Sequence, residues 1–113
     1  MYGLPKDFDG SFLVGRSLEM VCFNQNQVYL HFDADITICI ESAYSYKTEQ
    51  VIDVPARESN LMDLLGSAIS AAQGDANGTL SLRFNNGDAL KVYDTTKQYE
   101  SYRIKYGDNT IIV

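Results

Sequence analysis

Strict alternation of apolar and other side chains over residues 18–40 constrains this chain more than any other feature. The alternation runs through three segments, 18–23, 28–32 and 36–40, which are separated by Asn24-Gln25-Asn26 and Asp33-Ala34-Asp35. A period of two is typical of half-buried β-strands, and short polar residues favour the turns between them. The sequence therefore predicts a three-stranded antiparallel meander.

The lengths of the two loops predict the register of the meander. A three-residue loop at 33–35 places Phe32 opposite Ile36. A register one residue away would turn the isoleucines of the third strand onto the wrong face, so it is disfavoured. A loop at 24–26 likewise pairs Met20 with Leu30.

This register divides the side chains between two faces. We expect Cys22 on the core face and Cys39 on the opposite face, which excludes a disulfide between them. That opposite face is too apolar for a freely solvated sheet, and its expected residues are Val21, Phe23, Tyr29, His31 and Cys39.

The second half of the chain predicts one helix and further strands. Apolar residues recur at helical spacing over residues 60–73, with Ser59 or Asn60 as the N-cap and Gly74 as the C-cap. Strand patterns follow, and a loop at 85–87 with a left-handed Gly87 pairs Leu82 with Leu90. We expect an α+β fold: a strongly bent antiparallel sheet or partial barrel of about 7–9 strands with one helix.

The two halves of the sequence resemble each other. Val28-x-Leu30-x-Phe32 before an acidic turn parallels Leu80-x-Leu82-x-Phe84 before Asn85-Asn86-Gly87. Duplication of one hairpin unit explains this similarity, and independent convergence of two hairpins explains it as well. We expect a single domain over residues 1–113, with residues 1–15 as a loosely packed N-terminal arm.

Composition excludes several classes of function. The 113 residues carry 15 acidic and 9 basic side chains, a formal net charge of −6. Nucleic-acid binding and docking on an anionic membrane are disfavoured, since both depend on clustered Lys and Arg. No apolar run approaches the ~20 residues of a membrane span, and no secretory signal is visible, so we expect a cytoplasmic protein.

Candidate chemical groups are few, and we expect no catalytic residues, metal or cofactor. Cys39 and His31 are the best nucleophile–base combination, but no oxyanion-hole motif accompanies them. Asp33 with Asp35 and Asp7 with Asp9 fit turns better than a calcium loop. Glu100 near Asp94 is the best carboxylate pair, and solvated charges explain it more simply.

Tyrosine is unusually frequent, with eight residues in the chain. Tyrosine is enriched at protein interfaces, although it also suits half-buried strands. Two groups are therefore candidate binding residues: Phe23, Tyr29 and His31 on the second sheet face, and Tyr99, Glu100 and Tyr102 near the C-terminus. The alternative for residues 99–102 is a structural corner.

The residues also carry a family resemblance. The segments Gly78-Thr79-Leu80-x-Leu82-x-Phe84-x-Asn86-Gly87-x-x-Leu90-x-Val92 and Tyr99-Glu100-Ser101-Tyr102 resemble a group of small bacterial domains of unknown function. The resemblance implies no catalytic residue. In size and charge such proteins are similar to toxin-immunity proteins.

These observations favour a non-enzymatic bacterial protein-interaction domain that self-associates, a homodimer included, or masks a partner in the manner of an immunity protein. The alternative hypothesis is a small-ligand binder with an apolar pocket lined by Tyr and Phe. An enzyme using Cys39 and His31 is the least favoured hypothesis.

Overall fold

Two five-stranded antiparallel sheets form the fold in a computed structural model, which describes residues 4–54, 60–95 and 100–113. The first sheet has the order β1-β2-β3-β9-β10 and the second the order β5-β4-β8-β7-β6. In chain order the strands are β1 Leu18–Phe23, β2 Val28–Phe32, β3 Ile36–Ile40, β4 Ala43–Tyr46, β5 Ile52–Asp53, β6 Ile69–Gly74, β7 Leu80–Phe84, β8 Ala89–Tyr93, β9 Tyr102–Tyr106 and β10 Asn109–Ile112.

One apolar core lies between the two sheets. Alternate residues of both sheets contribute to it, and the rings of Phe32 and Phe84 stack across it with centroids 6.4 Å apart. Tyr44 and Tyr102 are fully buried in the same core. The expected single bent sheet or partial barrel is therefore wrong, because each sheet buries its inner face against the other.

The predicted helix over residues 60–73 is also wrong, and with it the α+β class. Leu61–Leu64 form a 3₁₀ turn, and Ile69–Gly74 form strand β6. Gly66 has a φ of +83°, which ends any helix there. Asn60 makes no side-chain capping bond, and Ser59 lies outside the described residues. The helical spacing was misleading because a turn with buried Leu61 and Leu64 is followed by a strand that begins at the buried Ile69.

Two of the three predicted hairpin registers are confirmed. Phe32 lies opposite Ile36 across the 33–35 loop, and Leu82 lies opposite Leu90 across the 85–87 loop. Gly87 has a φ of +92°, as the tight loop requires.

The register predicted for the first hairpin is wrong. A β-bulge between Leu18 and Met20 inserts one residue, so that Val21, not Met20, lies opposite Leu30. Cys22 consequently shares the outer face with Cys39. Both cysteines are free, as expected, although for a different reason. They are separated by the width of strand β2.

A pseudo-twofold relation connects the two halves of the chain. The Gly15 amide donates to the Ile69 carbonyl at 2.7 Å, and the equivalent Gly66 amide donates to the Leu18 carbonyl at 2.8 Å. The bulge in β1 has its counterpart in β6, between Ile69 and Ala71. Such reciprocal bonds support duplication, because two converged hairpins would not share their contacts to each other.

The terminal hairpins are exchanged between the halves. Strands β4 and β5 follow the first meander in sequence but belong to the second sheet, where β4 pairs with β8. Strands β9 and β10 follow the second meander but belong to the first sheet, where β9 pairs with β3. Each half thus completes the sheet of the other.

The N-terminal segment is more closely packed than expected. Gly10–Leu13 form a 3₁₀ turn in which Leu13 is fully buried. A Cβ at Gly10 would lie 2.8 Å from the Ala72 carbonyl oxygen, so this turn sits directly on β6. Within the described ranges, no helix is long and apolar enough to cross a membrane.

Candidate functional site

The outer face of the first sheet carries an aromatic pair and a charged cluster whose side chains contact one another. Tyr29 of β2 lies opposite Cys22 on one side and Cys39 on the other. Arg103 of β9 lies opposite Cys39. Since residues opposite one another in neighbouring strands project on the same side, these four form one row across the face.

An aromatic pair occupies the middle of this outer face. The rings of Tyr29 and His31 stack with centroids 5.9 Å apart and an interplanar angle of 7°. The Tyr29 hydroxyl donates to Gln27 Oε1 at 2.7 Å, and His31 Nδ1 lies 3.0 Å from Thr37 Oγ1. Both rings are half-buried, so their orientation is fixed while part of each remains open to contact.

Next to the aromatic pair lies a charged cluster centred on Arg103. Its guanidinium lies 3.8 Å from Glu41 Oε1 and 3.5 Å from Glu100 Oε1, and it donates to Cys39 Sγ at 3.5 Å. The Gln27 amide donates to Glu41 Oε1 at 2.5 Å, which connects the cluster to Tyr29. Two carboxylates share one cation here, so the cluster carries a net negative charge.

The surroundings shift the proton affinity of these groups. Partial burial raises the pKa of Glu100 above the usual carboxyl range, and the neighbouring Glu41 raises it further, while Arg103 opposes the shift. Partial burial and then the Cys39 thiol raise the pKa of the Tyr29 hydroxyl. The hydrogen bond to Cys39 is the main cause that raises the pKa of Arg103. Glu100 therefore holds a proton more readily than an isolated glutamate.

The structure brings three of the six candidate binding residues together. Tyr29 and His31 are in direct ring contact, and Glu100 reaches the same face through Arg103. These three residues therefore lie close together on one face. That this face binds a partner stays a prediction.

The other three candidates do not join this surface. Phe23 lies opposite Val28 on the inner side of the sheet, because the bulge in β1 reverses the predicted faces. Tyr102 is fully buried, and its hydroxyl donates to the Gly78 carbonyl at 2.7 Å, so it cannot reach a partner. Tyr99 lies outside the described residues.

Ser101 shows why this segment has a structural role. It is fully buried, and its hydroxyl donates to Asp94 Oδ1 at 3.0 Å. Its carbonyl accepts from the amides of Glu41 and Ser42 at the crossover between β3 and β4. The alternative interpretation of a structural corner therefore holds for Ser101 and Tyr102.

The residue pairs considered for catalysis, Cys39 with His31 and Asp94 with Glu100, are bonded to other described residues and not to each other. His31 contacts Thr37 and Tyr29, while Cys39 receives the bond from Arg103. Asp94 and Glu100 likewise have separate partners.

The short acids accept bonds from backbone amides. Asp9 accepts from the Ser11 amide at 2.9 Å within a turn, and Asp33 accepts at 3.2 Å from the amide of Ser17, which is distant in sequence. Across residues 4–54, 60–95 and 100–113, no cluster of three or more His, Cys, Asp or Glu side chains is arranged to hold a metal ion.

Sequence reasoning missed Gln27, Glu41 and Arg103. Arg103 follows Tyr102 on an alternating strand, and that alternation places it on the outer face. Its neighbours could not be found from the sequence, since they depend on the pairing of β9 with β3 across the exchange of hairpins.

The fold and the site define a two-sheet β-sandwich built from a duplicated unit, with a structured aromatic and acidic patch on one outer face. The chain belongs to the family of unknown function DUF6188, whose model matches residues 11–113. This match confirms the expected membership in a family of unknown function. Neither the curated proteins nor the solved structures gave a match to the chain.

Proposed function

We propose that this chain is a non-enzymatic protein-interaction domain that masks a partner through the outer face of the first sheet. The observation that carries the proposal is the stacked pair of Tyr29 and His31, held in place on an open sheet face. Aromatic side chains whose rings are already ordered contribute to binding with little loss of conformational entropy.

The second sheet provides an internal comparison. Ser81 and Arg83 occupy the positions in β7 that Tyr29 and His31 occupy in β2, since Leu82 pairs with Leu90 as Leu30 pairs with Ile38. Equivalent positions thus carry an aromatic pair in one sheet and a serine and an arginine in the other. This difference supports a role of the aromatic pair in recognition rather than in folding.

The charges favour a basic partner. Glu41 and Glu100 lie on the Tyr29 side with Arg103 between them, Lys105 lies across Thr37 from His31, and the whole chain has a net charge of −6. A basic segment would find carboxylates beside an aromatic surface, the arrangement that steers association of opposite charges. Masking of such a segment is the mode of action that the size and acidity of the chain suggest.

The experiment compares three forms of the tagged protein, each recovered from its own host at native expression and analysed by native mass spectrometry. The test variant is Tyr29→Ser with His31→Arg, which installs the residues of the second sheet. The control is Ser81→Ala with Arg83→Ala on the opposite side of the molecule.

We expect a stoichiometric protein partner with the natural chain and with the control, and its loss with the test variant. Retention of the partner by the test variant, or recovery of the natural chain with no protein partner, would contradict the proposal. A cytoplasmic location and the non-enzymatic character of the chain remain predictions.

No described contact favours the small-ligand alternative. The aromatic side chains Phe32, Phe84, Tyr44 and Tyr102 belong to the packed core. The cleft beside Glu41 and Glu100 is instead lined by polar side chains of the β1–β2 turn.

A further inference from the structure

Strand β1 has a backbone edge that is paired only at its start, where Leu18 is bonded to Gly66 and Ser67. The Asn24 amide donates to the Gln27 carbonyl at 3.0 Å and closes the β1–β2 hairpin. Hydrogen-bonded and non-hydrogen-bonded pairs alternate along an antiparallel ladder, so Val21 and Phe23 occupy non-hydrogen-bonded pairs with β2. Their N–H and C=O groups point away from the sheet, where the described part of the chain offers them no hydrogen bond.

The corresponding edge of the second sheet is covered. Residues 10–13 pack on β6, and a Cβ at Gly74 would collide with the Leu4 side chain. Strand β5 is only two residues long, which leaves little edge to pair. The turn Leu61–Leu64 contacts β1 in a similar way, so among the described edges β1 is distinguished by its exposed apolar residues Met20 and Phe23.

The free edge is apolar as well as unpaired. Met20 is 50% exposed and Phe23 45% exposed, more than Ile112 on the edge strand β10 at 38%. Residues 20–23 contain no charged side chain. Natural proteins usually protect edges with charges or proline, and an apolar stretch of edge without them pairs readily with another strand.

We propose that two copies of this chain associate through antiparallel pairing of their β1 strands, with the twofold axis at Cys22. In this arrangement Val21 of one copy forms a hydrogen-bonded pair with Phe23 of the other, and the reverse pair completes the symmetry. The same free groups are used on both copies, so the edge is self-complementary.

Pairing around Cys22 also buries the exposed apolar side chains. Phe23 of one copy comes beside Val21 of the other on the inner side, and Met20 comes beside Asn24 on the outer side. The two first sheets become one continuous ten-stranded sheet, which carries two copies of the Tyr29–His31 pair. The inference goes beyond the proposed function, because the β1 edge and the outer face are different surfaces.

Cys22 provides a direct test of this geometry. It is half-exposed and would face its counterpart in a non-hydrogen-bonded pair, where Cα atoms lie about 4.5 Å apart, within the range of a disulfide. Diamide, which takes up two electrons and two protons as two thiols become a disulfide, should therefore cross-link two copies of the natural chain. Cys39→Ser should preserve the cross-link, and Cys22→Ser should abolish it.

Light scattering on a sizing column measures the association without oxidant. We expect the natural chain and the face variant, Tyr29→Ser with His31→Arg, to have twice the chain mass of 12.6 kDa. Phe23→Pro removes one outward N–H and the exposed ring, and Cys22→Lys places two like charges in contact across the axis. Each should weaken the dimer at least about tenfold in its dissociation constant.

Circular dichroism confirms that both edge variants are folded before they are compared. A monomer at every concentration of the natural chain would overturn the proposal. So would a dimer that both edge variants retain, or one that diamide cross-links through Cys39 instead of Cys22. A dimer of the face variant that has lost its protein partner would separate this inference from the proposed function.

Discussion

Replacing Tyr102 by phenylalanine tests the structural role of the segment that ends the crossover into β9. The Tyr102 side chain is fully buried, and its hydroxyl donates a 2.7 Å hydrogen bond to the carbonyl of Gly78, which is also buried. Phenylalanine keeps the ring and removes one oxygen, so the core loses no apolar packing. The remaining change is a buried carbonyl without its donor.

The expected cost follows from that single group. An average intramolecular hydrogen bond contributes about 1 kcal/mol, and a buried acceptor left without a partner costs about 1–3 kcal/mol. We therefore expect Tyr102→Phe to lower the free energy of unfolding by about 1–2 kcal/mol. In urea titration the midpoint should fall by roughly 1 M with an unchanged slope, for a slope of about 1–2 kcal/mol/M.

Tyr106→Phe is the matched control on the same strand. Tyr106 packs its ring on Phe12 with centroids 4.4 Å apart, and its hydroxyl has no hydrogen bond among the described residues. Its loss should change the free energy of unfolding by less than about 0.5 kcal/mol. The reasoning is refuted if Tyr102→Phe is equally neutral, or if the control costs as much.

Three further predictions concern pH and backbone conformation. Burial raises the pKa of Tyr102, so its contribution to stability should be complete below about pH 10 and lost at higher pH, a loss that Tyr102→Phe removes in urea titrations from pH 8 to 11. Because the pKa of Glu100 is raised, its contribution to folding stability is complete below about pH 4 and is lost as pH rises. Glu100→Gln should therefore gain stability relative to the natural chain between about pH 3.5 and 7. A stability difference that does not change with pH would contradict this. Alanine at Gly15 or Gly66, whose φ values are +86° and +83°, should cost about 1–2 kcal/mol at either site in thermal unfolding, and clearly unequal losses would argue against equivalence of the two turns.

The hairpins could be predicted because their information is local. Loop length and alternation together determine the pairing of Phe32 with Ile36 and of Leu82 with Leu90, and both are visible within a dozen residues. Gly87 could be assigned a positive φ from the turn alone. Such features need no knowledge of the rest of the chain.

The second 3₁₀ turn and strand β6 could not be predicted from local spacing. Leu61, Leu64 and Ile69 fit a helical face, but the Ile69 amide donates to the carbonyl of Arg16 in the other half. That bond joins segments distant in sequence, and it outweighs the local helical preference. The sequence did contain a signal for this strand. An apolar residue precedes glycine in both Val14-Gly15 and Leu65-Gly66, and aligning these two pairs makes residues 61–74 correspond to 10–23.

The candidate site was predictable in part for the same reason. Tyr29 and His31 alternate within one strand, so their common face follows from the sequence. Phe23 was misplaced because the bulge between Leu18 and Met20 has no strong local signature. Arg103 reaches the face only through the pairing of β9 with β3, which requires the exchange of hairpins to be known.

The two halves of the chain share residues at inner positions of the sheets but differ at outer positions. The inner positions of both halves must fill one core, which explains why Phe32 and Phe84 are identical and in contact at equivalent positions. The outer positions face solvent and carry no such demand, yet Tyr29 and Ser81 differ as much as two side chains can at equivalent sites. Since equivalent positions carry either residue, we expect the aromatic character of one outer face to reflect what that face contacts, as proposed above.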